Sequence, residues 1–122
     1  LGPNAAENSD NASILLRYQN GSQGVINYFS NGSKAYSKER IEVYSQNRTA
    51  VIDNFRKSHY HGFKGSGLSK GQDKGHAEQF KRFYHSLRDG GPAIVSYEET
   101  MNASRAAIAA VESLKQGAWV GV

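Results

Sequence analysis

The stretch that decides the fold spans residues 11–30 and reads NASILLRYQNGSQGVINYFS. In its first half Ile14 and Leu16 alternate with their neighbours, and its second half is rich in β-branched and aromatic residues. Asn20-Gly21 separates the halves, and Asn-Gly is a strong hairpin signal because both residues tolerate positive φ. The stretch therefore predicts two antiparallel strands joined by a tight turn.

Three further strands are predicted after this hairpin, which Asn31-Gly32 closes. The alternation of apolar and polar residues predicts a third strand over 41–44, a fourth over 48–53 and a fifth over 55–63. Ser45-Gln-Asn suits a tight turn between the third and the fourth. The first half of the chain thus predicts a mostly antiparallel meander.

A segment rich in glycine, serine and lysine, residues 62–75, predicts a mobile loop. A helix over 76–89 follows, with Asp73 as its candidate cap and one apolar stripe at three- and four-residue spacing. Gly90-Gly91-Pro92 ends it. The second helix has a capping box from Ser96 to Glu99, runs to about Gln116 and ends at Gly117.

The order of these elements predicts an α+β fold. We expect an open-faced, mainly antiparallel β-sheet of about five to six strands, followed by two helices packed on one face. The other face would be solvated or would pack on another chain. Residues 1–10 are polar and predict a linker or cut end, and residues 11–122 predict a single domain.

Composition limits the function classes. The chain has 122 residues and no cysteine, which excludes disulfides, cysteine-zinc sites and a thiol nucleophile. Its net charge of +4 is spread among acidic residues. No apolar run approaches the roughly 20 residues of a membrane span, and the first residues do not resemble a signal peptide. A cytoplasmic protein without a membrane partner is expected.

The candidate binding residues lie around the glycine-rich loop. Its lysines are either solvated or form a pocket rim for an anionic ligand. His76, at a helix start, is either exposed or exchanges a proton with substrate. With Tyr60 of the fifth strand, Lys74 and His76 are the candidate substrate-binding residues.

No catalytic, cofactor-binding or metal-binding residue is assigned. His59 and His61 share a sheet face, but no third metal ligand is evident. The glycine loop departs from the dinucleotide fingerprint. Glu39 and Asp53 are single carboxylates at strand ends without a recognisable partner.

The order and spacing of several motifs resemble one family. Residues 11–28 resemble the strand–Gly-Ser–Gly–strand hairpin of the glucose–fructose oxidoreductase/inositol dehydrogenase/MocA family, and the resemblance extends over roughly residues 11–120. The motifs that carry it further along the chain are KERIEVY at 38–44, VIDNF at 51–55, DKGH at 73–76, Phe80, PAIVSYEE at 92–99 and AVESLKQG at 110–117. The KER and DKGH versions look closest to a branch found in larger bacterial fusion proteins.

The resemblance implies the carboxy-terminal domain of an NAD- or NADP-dependent oxidoreductase acting on a sugar- or polyol-like substrate. In that family a preceding Rossmann domain holds the cofactor and a Glu-Lys-Pro lysine. This sequence contains neither that motif nor the family's Asp-x-x-x-His helix, so the catalytic residues are not carried over. We expect a chain that is inactive alone, that needs the Rossmann domain as partner, and that forms a homodimer through its open sheet face.

Two other functions compete with this interpretation. A stand-alone module could bind RNA or an anionic ligand. An RNA-recognition fold, however, has the element order βαββαβ and an aromatic run that is missing here, so no nucleic-acid partner is expected. A purely structural dimerisation domain is the third alternative.

Overall fold

A computed structural model describes residues 11–65 and 67–122, so the predicted linker at residues 1–10 lies outside the described part. The chain divides into two compact units, of which the first ends at Lys38 and the second begins at Glu39. The elements are β1 Asn11–Arg17, β2 Gln23–Phe29, β3 Arg40–Ser45, β4 Arg48–Asp53, β5 Lys57–His61, α1 His76–Asp89 and α2 Tyr97–Gln116.

The described part of the first unit contains the predicted hairpin. β1 and β2 are antiparallel, with Ile14 opposite Ile26. In the turn the amide of Gly21 donates to Tyr18 O (3.0 Å), and Gly21 has a φ of 84°. Asn20 has no positive φ; its side-chain oxygen instead accepts from the amide of Ser22 (3.0 Å). Glycine alone therefore supplies the left-handed residue of this turn.

The second unit begins with the three-stranded antiparallel meander β3–β4–β5. Gln46 and Asn47, with φ of 49° and 59°, form the tight β3–β4 turn that the sequence predicts. The prediction that β5 begins at Phe55 is wrong. Asn54 and Phe55 both have positive φ and form the β4–β5 turn, so the strand begins at Lys57.

The three-stranded sheet has one polar and one apolar face, because residues opposite each other in the register share a face. Glu42, Val51 and His59 form one row across the polar face, and Val43, Ala50 and Tyr60 form one row across the apolar face. The other residues of the polar face are Arg40, Tyr44, Thr49, Asp53, Lys57 and His61, and those of the apolar face are Ile41, Ser45, Arg48, Ile52 and Ser58.

Both helices have the predicted bounds and depend on local caps. At α2 the hydroxyl of Ser96 accepts from the amide of Glu99 (3.1 Å), and the Glu99 carboxylate accepts from the amide of Ser96 (3.0 Å). These bonds lower the pKa of Glu99, the backbone bond most. At α1 the cap prediction is wrong: Gly75 is the N-cap, and Asp73 accepts from the Gly75 amide (2.9 Å) one step earlier.

The α+β class with open, antiparallel sheets is confirmed. The strands form two hydrogen-bonded sheets rather than one, because residues 30–39, between β2 and β3, form successive turns instead of a tight hairpin. The apolar stripe of α1 is largely exposed, and Phe80 and Leu87 are 72% and 68% exposed. Within residues 11–65 and 67–122 no helix is long and apolar enough to cross a membrane.

Candidate functional site

Residues 67–75 of the glycine-rich segment, where the sequence predicts a mobile loop, are hydrogen-bonded to β5 and to the turn before it. We call residues 67–75 the strap. The amide of Ser58 donates to Leu68 O (2.8 Å), and the amide of Lys70 donates to Arg56 O (3.0 Å). The strap thus adds a short antiparallel ladder to the outer edge of β5, centred on the bridge between Lys57 and Ser69.

One glycine makes this close approach achievable. A Cβ added at Gly67 would overlap the carbonyl oxygen of Ser58. The Ser58 hydroxyl in turn accepts from the amide of Leu68 (3.0 Å). Beyond the ladder, the strap continues over the β4–β5 turn, where the amide of Asp73 donates to Phe55 O (3.0 Å) and the Gln72 side chain donates to Asn54 O (3.1 Å).

The strap ends in an ion pair between residues 35 positions apart. Lys74 Nζ lies 2.6 Å from Glu39 Oε1 and 5.8 Å from the centroid of the Phe55 ring. The Lys74 and Glu39 side chains are 38% and 36% exposed. Glu39 therefore has a partner that sequence reasoning missed. Its second oxygen, Oε2, is buried and has no hydrogen-bond partner among the described residues.

Two of the three lysines in residues 62–75 form ion pairs, so these two are less available to an anion than the sequence suggests. Lys74 is paired with Glu39, and Lys70 Nζ lies 3.2 Å from Asp73 Oδ2. The pKa of Asp73 is lowered, first because the Gly75 amide donates to its carboxylate and then because Lys70 pairs with it. A Coulombic contribution from His76 also lowers the pKa of Asp73.

The contacts of the three candidate binding residues do not connect all three of them. Lys74 ends the strap, and His76 is the first, exposed residue of α1. Tyr60, near the other end of β5, packs edge-on against the Phe63 ring with centroids 5.8 Å apart. Arg48 lies over the same Phe63 ring at 5.4 Å. Lys74 and His76 are thus neighbours along the chain, whereas Tyr60 belongs to an aromatic contact with Phe63.

The polar face carries a charged group that the sequence did not single out. Glu42 accepts from Arg40 Nε (2.6 Å) through one oxygen and from the Tyr44 hydroxyl through the other. The Tyr44 bond, followed by the Arg40 bond, lowers the pKa of Glu42, and the same carboxylate raises the pKa of Tyr44. The period-two spacing of these residues is the sequence signal that could have identified the group.

No metal-binding cluster is found in the described ranges. His59 and His61 lie on the polar face opposite Val51 and Thr49, neither of which carries a metal-ligating group. Three or more histidine, aspartate or glutamate side chains do not come together anywhere in residues 11–65 and 67–122.

Two open grooves lie on the helices, and the three candidate binding residues line neither. A groove of about 710 Å³ runs along the apolar stripe of α1, and one of about 540 Å³ lies at the start of α2. The α1 groove is lined by Gln79, Phe80, Phe83, Ser86, Leu87, Gly90, Gly91, Ala93, Ile94 and Val95. Its lining is mainly apolar, as in a surface that packs on protein rather than one that selects a sugar.

No protein-family model, curated protein or solved structure matches the chain.

Proposed function

We propose that the chain is the carboxy-terminal, substrate-side and oligomerisation domain of an NAD(P)-dependent oxidoreductase that acts on a sugar- or polyol-like substrate in the cytoplasm. NAD or NADP would bind a separate Rossmann domain, so the chain alone would have no turnover. The apolar face of the three-stranded sheet would form a homodimer, and the remaining apolar surface would meet the Rossmann domain.

The observation that carries this proposal is uncovered apolar surface on ordered elements. Val51 and Ala109 are the only buried apolar residues of the described chain. Large apolar side chains of β3, α1 and α2 remain exposed. Monomeric proteins rarely expose extended apolar surface, and a large exposed patch marks an interaction site. A domain that functions only with a partner accounts for this distribution.

A second observation favours the substrate-side assignment. The KER and DKGH motifs are far apart in sequence and carry much of the resemblance. Glu39 of the first and Lys74 of the second meet at 2.6 Å. A shared binding wall would need such a pair joining the two motifs, and His76, two residues after Lys74, remains exposed.

Dinucleotide binding tests the oxidoreductase class. NAD and NADP are titrated, by calorimetry, into this chain and into a parent chain extended upstream through its own reading frame. We expect binding by the extended chain only. Dinucleotide binding by this chain alone, or its absence from the extended chain, would contradict the proposal. A parent that assembles but binds no dinucleotide would favour the purely structural dimerisation domain.

The substrate-side assignment is tested in the same extended chain. His76→Gln should lower kcat/KM for the sugar about tenfold or more. His85→Gln, near the other end of α1, is the matched control and should leave it unchanged. Equal effects of the two substitutions would contradict a substrate role for His76.

Dimerisation through the apolar face has its own test. Val43→Asp places a charge on that face and should shift sedimentation toward monomer. Thr49→Asp, on the polar face, is the matched control and should not. A wild-type chain that remains strictly monomeric at high concentration would overturn the face dimer.

A further inference from the structure

The outer edge of β3 presents backbone groups away from β4. The amide of Asn54 donates to Glu39 O (2.6 Å), so residues 39 and 54 form a hydrogen-bonded pair. Such pairs alternate along an antiparallel ladder. Ile41 and Val43 therefore bond to β4, while the backbone groups of Glu42 and Tyr44 point outward.

No strand of the described chain is hydrogen-bonded to this outward edge. All six residues of β3 are exposed. An uncovered edge is a template on which another strand can add by backbone hydrogen bonding. The side chains next to the backbone then decide which strand fits.

We infer that the β3 edge pairs with the same edge of a second copy, antiparallel and centred on Ile41. In this register Arg40 of each copy lies opposite Glu42 of the other, and the two Ile41 side chains face each other. Within each strand Arg40 already pairs with Glu42 at 2.6 Å. In the dimer each Arg40 therefore has one Glu42 on its own strand and another Glu42 opposite it on the second copy.

The charges disfavour the adjacent registers. Centring the pair on Glu42 would place two carboxylates directly opposite each other, which is destabilising in a sheet. Centring it on Val43 would place Glu42 opposite Tyr44 and Arg40 opposite Gln46, so the arginine and the glutamate of the two copies would not meet. The register centred on Ile41 alone uses both charged residues.

Edge pairing differs from the face dimer and does not rest on the oxidoreductase proposal. A two-fold axis normal to the sheet joins two three-stranded sheets into one of six strands. Because this axis keeps equivalent faces on the same side, the two apolar faces become continuous. Only Arg40, Ile41 and Glu42 lie opposite residues of β3 in both copies, so the paired stretch is short. We therefore expect weak association that is visible at high concentration or after trapping.

Cysteine trapping tests the register directly, since the natural sequence has no cysteine. In a non-hydrogen-bonded pair the Cα atoms lie about 4.5 Å apart, which permits a disulfide. Ile41→Cys should therefore cross-link to a dimer under mild oxidation. Val43→Cys is the control on the same strand and face. Its two copies would be four residues apart, about 13 Å, and should cross-link at least tenfold more slowly.

Equal cross-linking of the two variants, faster trapping of Val43→Cys, or no trapping of Ile41→Cys would overturn the inference. A face dimer without edge pairing predicts comparable cross-linking of Ile41→Cys and Val43→Cys, so the experiment distinguishes a face dimer from an edge dimer. Glu42→Cys trapping faster than Ile41→Cys would likewise reject the register.

Charge reversal in the Ile41→Cys background tests the pairing that selects the register. Arg40→Glu or Glu42→Arg alone should each slow cross-linking about tenfold, because like charges then lie opposite each other twice. The double variant restores opposite charges and should recover the original rate. A double variant as slow as the single variants would overturn the proposed charge pairing.

Discussion

The two outer edges of the three-stranded sheet differ in their hydrogen bonding: the edge at β5 is paired with the strap, and the edge at β3 is not paired with a strand of the described chain. At β5 the strap supplies a short ladder that occupies the outward groups of Arg56 and Ser58. At β3 no strand of the described chain is hydrogen-bonded to the outer edge, and the backbone groups of Glu42 and Tyr44 point away from β4. One edge is thus covered by a segment of its own unit, and the other carries no hydrogen-bonded strand among the described residues.

The difference follows from local chemistry on each side. The strap can approach β5 because residue 67 is a glycine, whose missing Cβ would otherwise overlap Ser58. Near its end the strap is held by the ion pair between Glu39 and Lys74. β3 carries alternating charges at Arg40 and Glu42 instead, and charged side chains limit indiscriminate strand addition. We therefore expect the edge of β3 to pair with a strand of complementary charge and to disfavour other strands.

Gly67→Ala should have the largest effect on this contrast. The added Cβ would overlap the backbone of Ser58, so the strap must move away, at a cost of roughly 1–3 kcal/mol. Both edges of the sheet would then be bare. Hydrogen exchange of the Ser58 and Lys70 amides should accelerate. Gly71→Ala, where the added Cβ meets open space, is the control; equal effects of the two would contradict the close approach at Gly67.

Ser58→Ala should loosen the same edge less. It removes the hydroxyl that accepts from the amide of Leu68 but leaves the backbone ladder intact. The free energy of unfolding should fall by about 1 kcal/mol, measured by urea denaturation. Ser104→Ala on α2 removes a hydroxyl that bonds back to Thr100 O and should be near neutral. If the two variants have the same free energy of unfolding, the Ser58 hydroxyl does not stabilise the strap.

Glu39→Gln should weaken the end of the strap slightly. The pair is more than one-third exposed, so solvent and salt screen it, and we expect a loss of about 0.5 kcal/mol at low salt. The difference from wild type should shrink as salt is raised. A difference independent of salt would show that the ion pair does not supply the stabilisation.

Acid should loosen the strap through Asp73. The pKa of Asp73 is lowered in the folded chain, chiefly by the Gly75 amide, so its stabilising contribution is full above the ordinary carboxyl pKa. That contribution is lost as pH falls through the lowered value. Exchange rates of the Lys70 amide, corrected for intrinsic pH dependence, should rise over this range in wild type. Asp73→Asn should remove the rise; an unchanged rise would assign it to another group.

Much of the secondary structure could be predicted because its signals are local. The capping box at Ser96 and Glu99 fixes the start of α2 with residues three positions apart, and Gly117 fixes its end. The start of β5 could not be predicted in the same way. Phe55 reads as a strand residue, but it adopts positive φ in the β4–β5 turn. Tertiary context there overrides an aromatic preference for strands.

The candidate site was only partly accessible from the sequence. Lys74 was identified as a lysine of the glycine-rich loop and His76 as the residue at a helix start, and in the structure Lys74 belongs to the strap while His76 begins α1. The Glu39 partner was missed because 35 residues separate it from Lys74 and no periodicity connects them. The strap itself was interpreted as mobile, since its glycines favour flexibility when its pairing with β5 is unknown.

Amide hydrogen exchange at two protein concentrations tests the contrast between the edges most directly. Ser58 and Lys70 should be protected at both concentrations, because the strap covers them within one copy. The outward amide of Glu42 should exchange rapidly at low concentration and become protected at high concentration. Protection of Glu42 that is the same at both concentrations, or loss of protection at Ser58 on dilution, would contradict the account.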